Sequence, residues 1–300
     1  MKPESASPQR CDIYQRVTGQ IIAELERGVI PWIKPWHASH LEGRVALPVR
    51  HNGLPYRGIN VIALWIASTA CGYASPSWMT YRQASELGGQ VRRGEKGSLV
   101  VYAGTLTKPA EGEGGEADAS EIHYLKGYTV FNADQIDGLP DQYRPQPVPL
   151  PEGPERIAKA EAFLDALKAE VRHGGNRAYY AGGADYIQMP PYETFRDAVS
   201  YYAVRTHETL HWTAHKSRLD RSFDRKRFGD EGYAMEELVA ELGSAFLCSA
   251  LALTPELRPD HAAYIANWLE VLKRDSRAVF AAAAHAQRAA DYLHGLQPPS

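Results

Sequence analysis

A chain of 300 residues, 44% hydrophobic and 23% charged, has the apolar material for a sizeable core, which excludes an intrinsically disordered polypeptide. Its formal net charge of −3 argues by itself neither for nucleic acid nor for a membrane surface, and the length fits two domains of about 100–200 residues each. Three cysteines (Cys11, Cys71 and Cys248) without a CxxC pair argue against a disulfide framework and a thiolate zinc site, and fit a reducing compartment.

Met1-Lys2-Pro3-Glu4-Ser5 lacks the apolar stretch of a signal peptide, and the most apolar run, residues 61–74, is too short and interrupted to span a bilayer. The expectation is a soluble, cytoplasmic protein with no membrane partner. From Asp12 the pattern turns helical, with Val17, Ile21, Ile22 and Leu25 on one face and Gly28 closing the segment. Prolines keep the next stretch, Ile30-Pro31-Trp32-Ile33-Lys34-Pro35-Trp36, from forming a regular helix. Its two tryptophans either cap a core or present rings to a ligand. Tyr56-Arg57-Gly58-Ile59-Asn60 leads into a second helix to about Ala70, and Trp78-Met79-Thr80-Tyr81 opens a third that ends near Gly88-Gly89. A basic turn, Gln90 through Gly97, precedes a strand over 98–103, and a second strand over 126–132 pairs with it across a glycine-rich, acidic loop at 111–121.

Charge is uneven along the chain. Between residues 12 and 108 eleven basic residues stand against six acidic ones. Basic residues interleaved with Trp32, Trp36, Tyr56, Trp78, Tyr81 and Tyr102 fit a groove that tracks phosphates while aromatic rings stack on bases. A core with a mildly basic surface accounts for the same composition.

Six prolines between 139 and 155 make an extended, semi-rigid stretch, which places an N-terminal domain at 1–138, a linker at 139–154 and a C-terminal domain at 155–300. The second half predicts a helix over 156–172, a short hairpin around Tyr179, Tyr180 and Tyr186–Pro190, a helix over 195–215, a charged connector over 218–230 and a helix over 236–253. Two final helices, about 261–273 and 276–294, supply packing.

The helix over 195–215 carries the chemistry, in the pattern H-E-x-x-H. On a helix His207 and His211 lie about 40° apart around the axis and roughly 6 Å apart along it, so both can hold one metal ion. Glu208 stands beside the first of them, where a carboxylate can take a proton from a metal-activated water. His215, about 12 Å along the axis from His207 on a continuing helix, cannot share that ion. The third ligand is sought on the next helix, where Glu237 and Glu241 are four apart on one face. Glu237 is assigned as ligand and Glu241 as the carboxylate that orients a histidine, with the reverse as the alternative. Glu236 is read as facing solvent.

Asp12-Ile13-Tyr14-Gln15-Arg16-Val17-Thr18, Gly28-Val29-Ile30-Pro31-Trp32, Lys34-Pro35-Trp36, Tyr56-Arg57-Gly58-Ile59-Asn60, Gly94-Glu95-Lys96-Gly97 and Val130-Phe131-Asn132-Ala133-Asp134-Gln135 resemble the N-terminal module of the ArdC antirestriction family. That module is also found at the start of TraC-type plasmid primases. His207-Glu208-Thr209-Leu210-His211-Trp212-Thr213 and Glu236-Glu237-Leu238-Val239-Ala240-Glu241-Leu242 resemble the family's zincin-like domain. The resemblance covers about residues 12–294. It implies an α+β protein of two domains, an α+β single-stranded-DNA-binding domain followed by a mostly helical, gluzincin-type metallopeptidase domain. It implies Zn2+, or another divalent transition metal such as Mn2+. It further implies a plasmid-encoded role in shielding incoming DNA from host restriction during conjugation. The DNA-contacting residues expected in the first half are Trp32, Lys34, Trp36, Arg57, Asn60, Trp78, Tyr81, Arg82, Arg92, Arg93 and Lys96. Two alternatives stay open: an active protease cutting a host or phage protein, a host restriction component among them, and a DNA-coating protein whose metal is structural.

Overall fold

The computed structural model describes residues 12–33, 46–108, 120–143, 153–223, 231–255 and 261–298. Helix α1 (Ile13–Glu26) buries Val17, Ile21 and Leu25 at a spacing of four, so its apolar stripe lies flat on the core. After β1 (Val49–Arg50), helix α2 (Ile59–Cys71) begins at Gly58, whose φ of 56° is left-handed and cheap only for glycine. Strand β2 (Ser77–Met79) follows, then α3 (Tyr81–Glu86), β3 (Gln90–Val91), the long hairpin β4 (Ser98–Lys108) and β5 (Ser120–Asn132), and β6 (Ile136–Asp137). The main sheet has the order β1-β2-β5-β4, and β3 pairs with β6 in a small ribbon.

The third helix starts later than its pattern suggested. Ser77, Trp78 and Met79 are all buried and form a strand between β1 and β5. The helix begins only after Thr80, whose hydroxyl accepts from the Gln83 N–H while Gln83 answers to the Thr80 N–H, a reciprocal cap that fixes the start.

Strand β4 lies at the sheet edge, where open N–H and C=O groups invite stray pairing. Asn60 closes part of that edge: its Nδ2 donates to the Val101 carbonyl at 2.8 Å and its Oδ1 accepts from the Val101 N–H at 2.8 Å. The residue expected at a DNA surface is thus a bracket between α2 and the sheet. Asn60→Ala leaves two backbone groups without these partners and is expected to lower stability by about 1–3 kcal/mol, read as a shifted urea midpoint with unchanged slope.

In the second half, α4 (Gly153–Ala166) precedes β7 (Val171–His173), β8 (Tyr179–Ala181) and β9 (Tyr186–Met189). The strand order is β7-β9-β8, β7 parallel and β8 antiparallel to the central strand. The helix expected over 156–172 stops short because Lys168 turns left-handed at φ 55° and the chain enters β7. Four helices complete the fold: α5 (Ala198–Trp212), α6 (Glu231–Leu251), α7 (His261–Arg274) and α8 (Ala278–Gly295). Buried alanines at 282, 283, 286, 289 and 290 thin one side of α8, which packs on α6. Gly243 of α6 sits where three helices meet: a Cβ there would stand 2.5 Å from Leu210 Cδ1 of α5 and 3.5 Å from the Ala286 carbonyl of α8.

One hydrophobic cluster runs from Val17 to Leu293, through both halves of the chain. Trp32 meets Trp268 edge to face at 5.4 Å, Tyr14 meets Phe280 at 4.7 Å, and the Thr18 hydroxyl donates to the Ser276 carbonyl at 2.6 Å. Trp32 and Trp78 are each 0% exposed, so neither can stack on a base. Both are core residues, held there by the large apolar area an indole buries. A smaller cluster gathers Met79, Ala84, Val91, Ala133, Ile136, Leu139 and Tyr143. Leu139 and Tyr143, at the start of the proline-rich stretch, therefore pack with the first half, while residues 144–152 lie outside the described residues.

Candidate metal centre

Helix α5 is capped by Asp197, whose Oδ1 accepts from the Ser200 N–H at 2.7 Å and from the Ser200 hydroxyl at 2.8 Å. The Ser200 backbone bond, foremost among several, holds the Asp197 carboxyl below its ordinary range. Residues 205–210 are buried. Thr206 and Thr209 tolerate this because their hydroxyls donate to the carbonyls of Tyr202 and Arg205, each at 2.7 Å. The helix ends at Trp212 because side chains take over its last carbonyls: Arg221 Nη2 donates to the Leu210 carbonyl at 2.9 Å and Arg218 Nε to that of Trp212 at 2.6 Å. His215 lies in the turn beyond, 2.8 Å from the Ser217 hydroxyl, and is outside the cluster described next.

His207 and His211 on α5 meet Glu237 on α6. The two histidine Nε2 atoms are 3.2 Å apart, His211 Nε2 is 3.5 Å from Glu237 Oε1, and His207 Nε2 is 3.6 Å from Glu237 Oε2. Ligands about 2.0–2.2 Å from a tetrahedral ion stand about 3.3–3.6 Å from one another, so these three side chains enclose a point of the right size. Behind each ring lies a further carboxylate. Glu241 Oε1 is 3.6 Å from His207 Nδ1, and Glu236 Oε1 is 3.1 Å from His211 Nδ1. A carboxylate at Nδ1 fixes the ring and leaves the Nε2 lone pair for a metal.

Glu236 departs from its expected surface position. It is 2% exposed and gripped by Arg221, which donates from Nε to Oε2 at 2.8 Å and from Nη2 to Oε1 at 2.7 Å. Arg221 also donates to the Thr213 hydroxyl at 3.1 Å. The reason is α6 itself: residues 236–248 are all buried, so the helix has no wet side on which Glu236 could lie. Burial opposes ionisation of Glu236, yet the Arg221 guanidinium and His211 hold its carboxyl at about 2. Burial likewise opposes charge on Glu237, and the two histidines keep it well below the usual carboxylate range. His211, although burial disfavours its cation, is pushed up to about 10 by Glu237 and Glu236. The three buried carboxylates Glu236, Glu237 and Glu241 outnumber the Arg221 guanidinium and the His211 cation, and such a pocket favours a cation at the shared Nε2 point. One helical turn before Glu237, the Tyr233 hydroxyl lies 2.9 Å from that of Tyr264. Burial, foremost, and the nearby Glu237 push the Tyr233 phenol up. Glu208 is buried on α5 next to His207.

Sequence reasoning missed Arg221 and Tyr233. Arg221 sits in a stretch read only as a charged connector, and no local signal separates it from the other charges there. Tyr233 stands four residues before Glu237, a spacing that did carry the information.

The DNA-contact candidates disperse. Tyr81, Arg82, Arg92, Arg93 and Lys96 are exposed in the first half, with Gln90 Nε2 donating to the Tyr81 hydroxyl at 3.1 Å. Arg82 pairs with Glu86 and Arg92 with Glu95. Arg57 pairs with Asp291 of α8. Lys34 and Trp36 lie outside the described residues.

Comparison with known proteins bears on both halves. Residues 11–131 match the N-terminal domain of anti-restriction factor ArdC, and residues 158–285 match a zincin-like metallopeptidase family. The chain is 49% identical to the antirestriction ArdC protein of plasmid R388 in a metal-free crystal structure, with a TM-score of 0.80 over 95% of this chain and 97% of that one. The chain belongs to the ArdC antirestriction family. The Mn(II)-bound structure of the R388 ArdC protein matches at 48% identity and a TM-score of 0.79, over 95% and 98% of the two chains. An uncharacterized protein, y4eC of Sinorhizobium fredii, is 47% identical over 95% of this chain and 92% of its own. The DNA primase TraC of Escherichia coli is 38% identical over 93% of this ArdC-family chain, which spans 27% of the primase. Among the described residues no helix is long and apolar enough to cross a membrane.

Proposed function

We propose that this ArdC-family protein binds single-stranded DNA through its N-terminal half, residues 1–138, and carries a divalent-metal hydrolytic centre in residues 155–300. In this reading it acts in the cytoplasm to protect incoming plasmid DNA from host restriction during conjugation. The observation that carries the metal reading is the His207–His211–Glu237 triangle, whose donor spacing suits one ion. Two imidazoles and a carboxylate suit Zn2+ and also accept Mn2+, the ion present in the R388 relative.

A divalent ion held there polarises a carbonyl and lowers the pKa of a water. The chain's own groups do the rest. His207 and His211 present Nε2, and Glu241 and Glu236 hold the two rings. Glu208 takes a proton and returns it to the departing amine.

A second reading has the metal only tie α5 to α6, and the Arg221–Glu236–His211 chain of bonds across those helices favours it. A restriction-protection assay separates the two. Under the hydrolytic reading Glu208→Gln abolishes protection; under the structural one it keeps protection, and His211→Ala loses it together with thermal stability.

For the DNA half, phosphate contacts release counterions, so affinity for a single-stranded 20-mer is expected to fall roughly ten-fold or more between 50 and 200 mM salt. Fluorescence anisotropy measures this, and a flat salt profile would reject a phosphate-tracking surface.

A further inference from the structure

Resting on the single-stranded-DNA reading above, we propose that the outer face of the β4–β5 hairpin is the base-stacking platform, made of Tyr102, Tyr124 and Tyr128 with Lys126 among them. Directly paired residues of an antiparallel hairpin share a face, as do residues two apart on one strand. The register Val100↔Tyr128, Tyr102↔Lys126 and Gly104↔Tyr124 therefore puts the three rings and the ammonium on one side. Tyr102 is 54% exposed and Tyr128 45% exposed, large for rings in the body of a sheet.

The face is shaped for rings. Gly104 leaves room for the Tyr124 ring to lie across the hairpin, since a Cβ there would stand 2.5 Å from it. The ring then sits 6.3 Å from that of Tyr102, tilted by 48°, with Lys126 Nζ 5.1 Å from its centre. On the opposite face Leu99 and Val101 pack against the core and Ile13 of α1 comes within 3.4 Å of the position a Gly127 Cβ would take, while the platform face itself runs down to the buried Val100 and Val130 at the base of the hairpin. Asn60 occupies the free edge at Val101, so at that point the hairpin cannot recruit another strand. Of the other exposed tyrosines, Tyr179 leans on Tyr186 and Tyr192 on Tyr201 in the second half, and Tyr81 packs on Phe131, which alternation along β5 puts on the other face.

Spacing selects the occupant. Same-face positions along a strand are about 6.8 Å apart, twice the roughly 3.4 Å base rise of a duplex strand. Rings so placed meet bases that are unstacked, as in an extended single strand, and the Lys126 ammonium meets the phosphate between them. With Trp32 and Trp78 buried in the core, Tyr102 and Tyr128 are the large exposed rings of this sheet among the described residues.

The test uses the full chain, a fluorescein-labelled deoxythymidine 20-mer, and an abasic oligomer of the same length, with binding read by anisotropy. Tyr102→Ala/Tyr128→Ala is expected to weaken binding to the thymidine strand by roughly ten-fold or more, while Tyr102→Phe/Tyr128→Phe stays within about two-fold because the ring face survives. Tyr179→Ala is expected to bind as the parent does, and the abasic strand to bind parent and alanine variant alike. Circular dichroism and a matching melting temperature establish that the alanine variant is folded. A folded alanine variant that binds the thymidine strand as tightly as the parent overturns the platform and spares the DNA reading, and so does a phenylalanine variant that loses as much as alanine. A parent that binds no single strand at low salt overturns both.

Discussion

Glu208→Gln is expected to leave Mn2+ affinity within about two-fold of the parent while lowering metal-dependent peptide hydrolysis by roughly 10²–10⁴-fold, the usual worth of a positioned general base. The first half of this expectation follows from geometry: the donors that converge are His207, His211 and Glu237, and Gln at 208 alters none of them. The second half follows from chemistry, since an amide has the shape of the carboxylate but cannot take up the proton. Calorimetric titration with Mn2+ and hydrolysis of a fluorogenic peptide are the paired measurements. Equal hydrolysis by parent and variant would remove Glu208 from the reaction. A variant that loses the metal as well would show that Glu208 helps to build the pocket.

Arg221→Met is expected to destabilise the metal-free protein by about 3–5 kcal/mol, because it strands the Glu236 carboxylate without its guanidinium in a buried place. It also removes donors from the Leu210 carbonyl and the Thr213 hydroxyl, so the end of α5 loosens beside His211. The pH dependence has a definite sign. Glu236 is held at about 2 in the folded protein, below the unfolded value of about 4.3. A depressed carboxylate contributes stability above its unfolded value and loses it as the pH falls toward its folded value. The gap between parent and variant should therefore be full above about pH 4.5 and narrow on acidification toward 2. Glu236→Gln combined with Arg221→Met should recover part of the loss, since no buried carboxylate is then left alone. Urea denaturation at several pH values reads all three. A gap that widens in acid would contradict the argument.

The parts of this architecture that were legible from residues alone share a local cause. The helix bearing His207 and His211 shows itself by spacing, and α1 by a stripe of Val17, Ile21 and Leu25. The pairing of β4 with β5 follows from two apolar runs either side of a turn-rich stretch. What stayed hidden depends on distant partners. Trp32 reads equally well as a ring for bases or as core, and only Trp268, far along the chain, decides. Glu236 looked exposed because a helix ordinarily has a wet face, and α6 has none over 236–248. Strands of two residues such as β1, β3 and β6 are too short to alternate visibly. Asn60 gave no hint of its bracket, because the edge it closes is created by β4, forty-one residues later.

The cluster running from Val17 to Leu293 makes the two halves thermodynamically inseparable. Cutting the chain in the proline-rich stretch would open the Trp32–Trp268 contact and bare apolar surface on both fragments, which favours their aggregation. Heating the intact chain should melt it in one cooperative transition. By mass action, a ligand bound to the first half raises the temperature at which α5 and α6 come apart, and one bound to the second half steadies the β4–β5 sheet in turn.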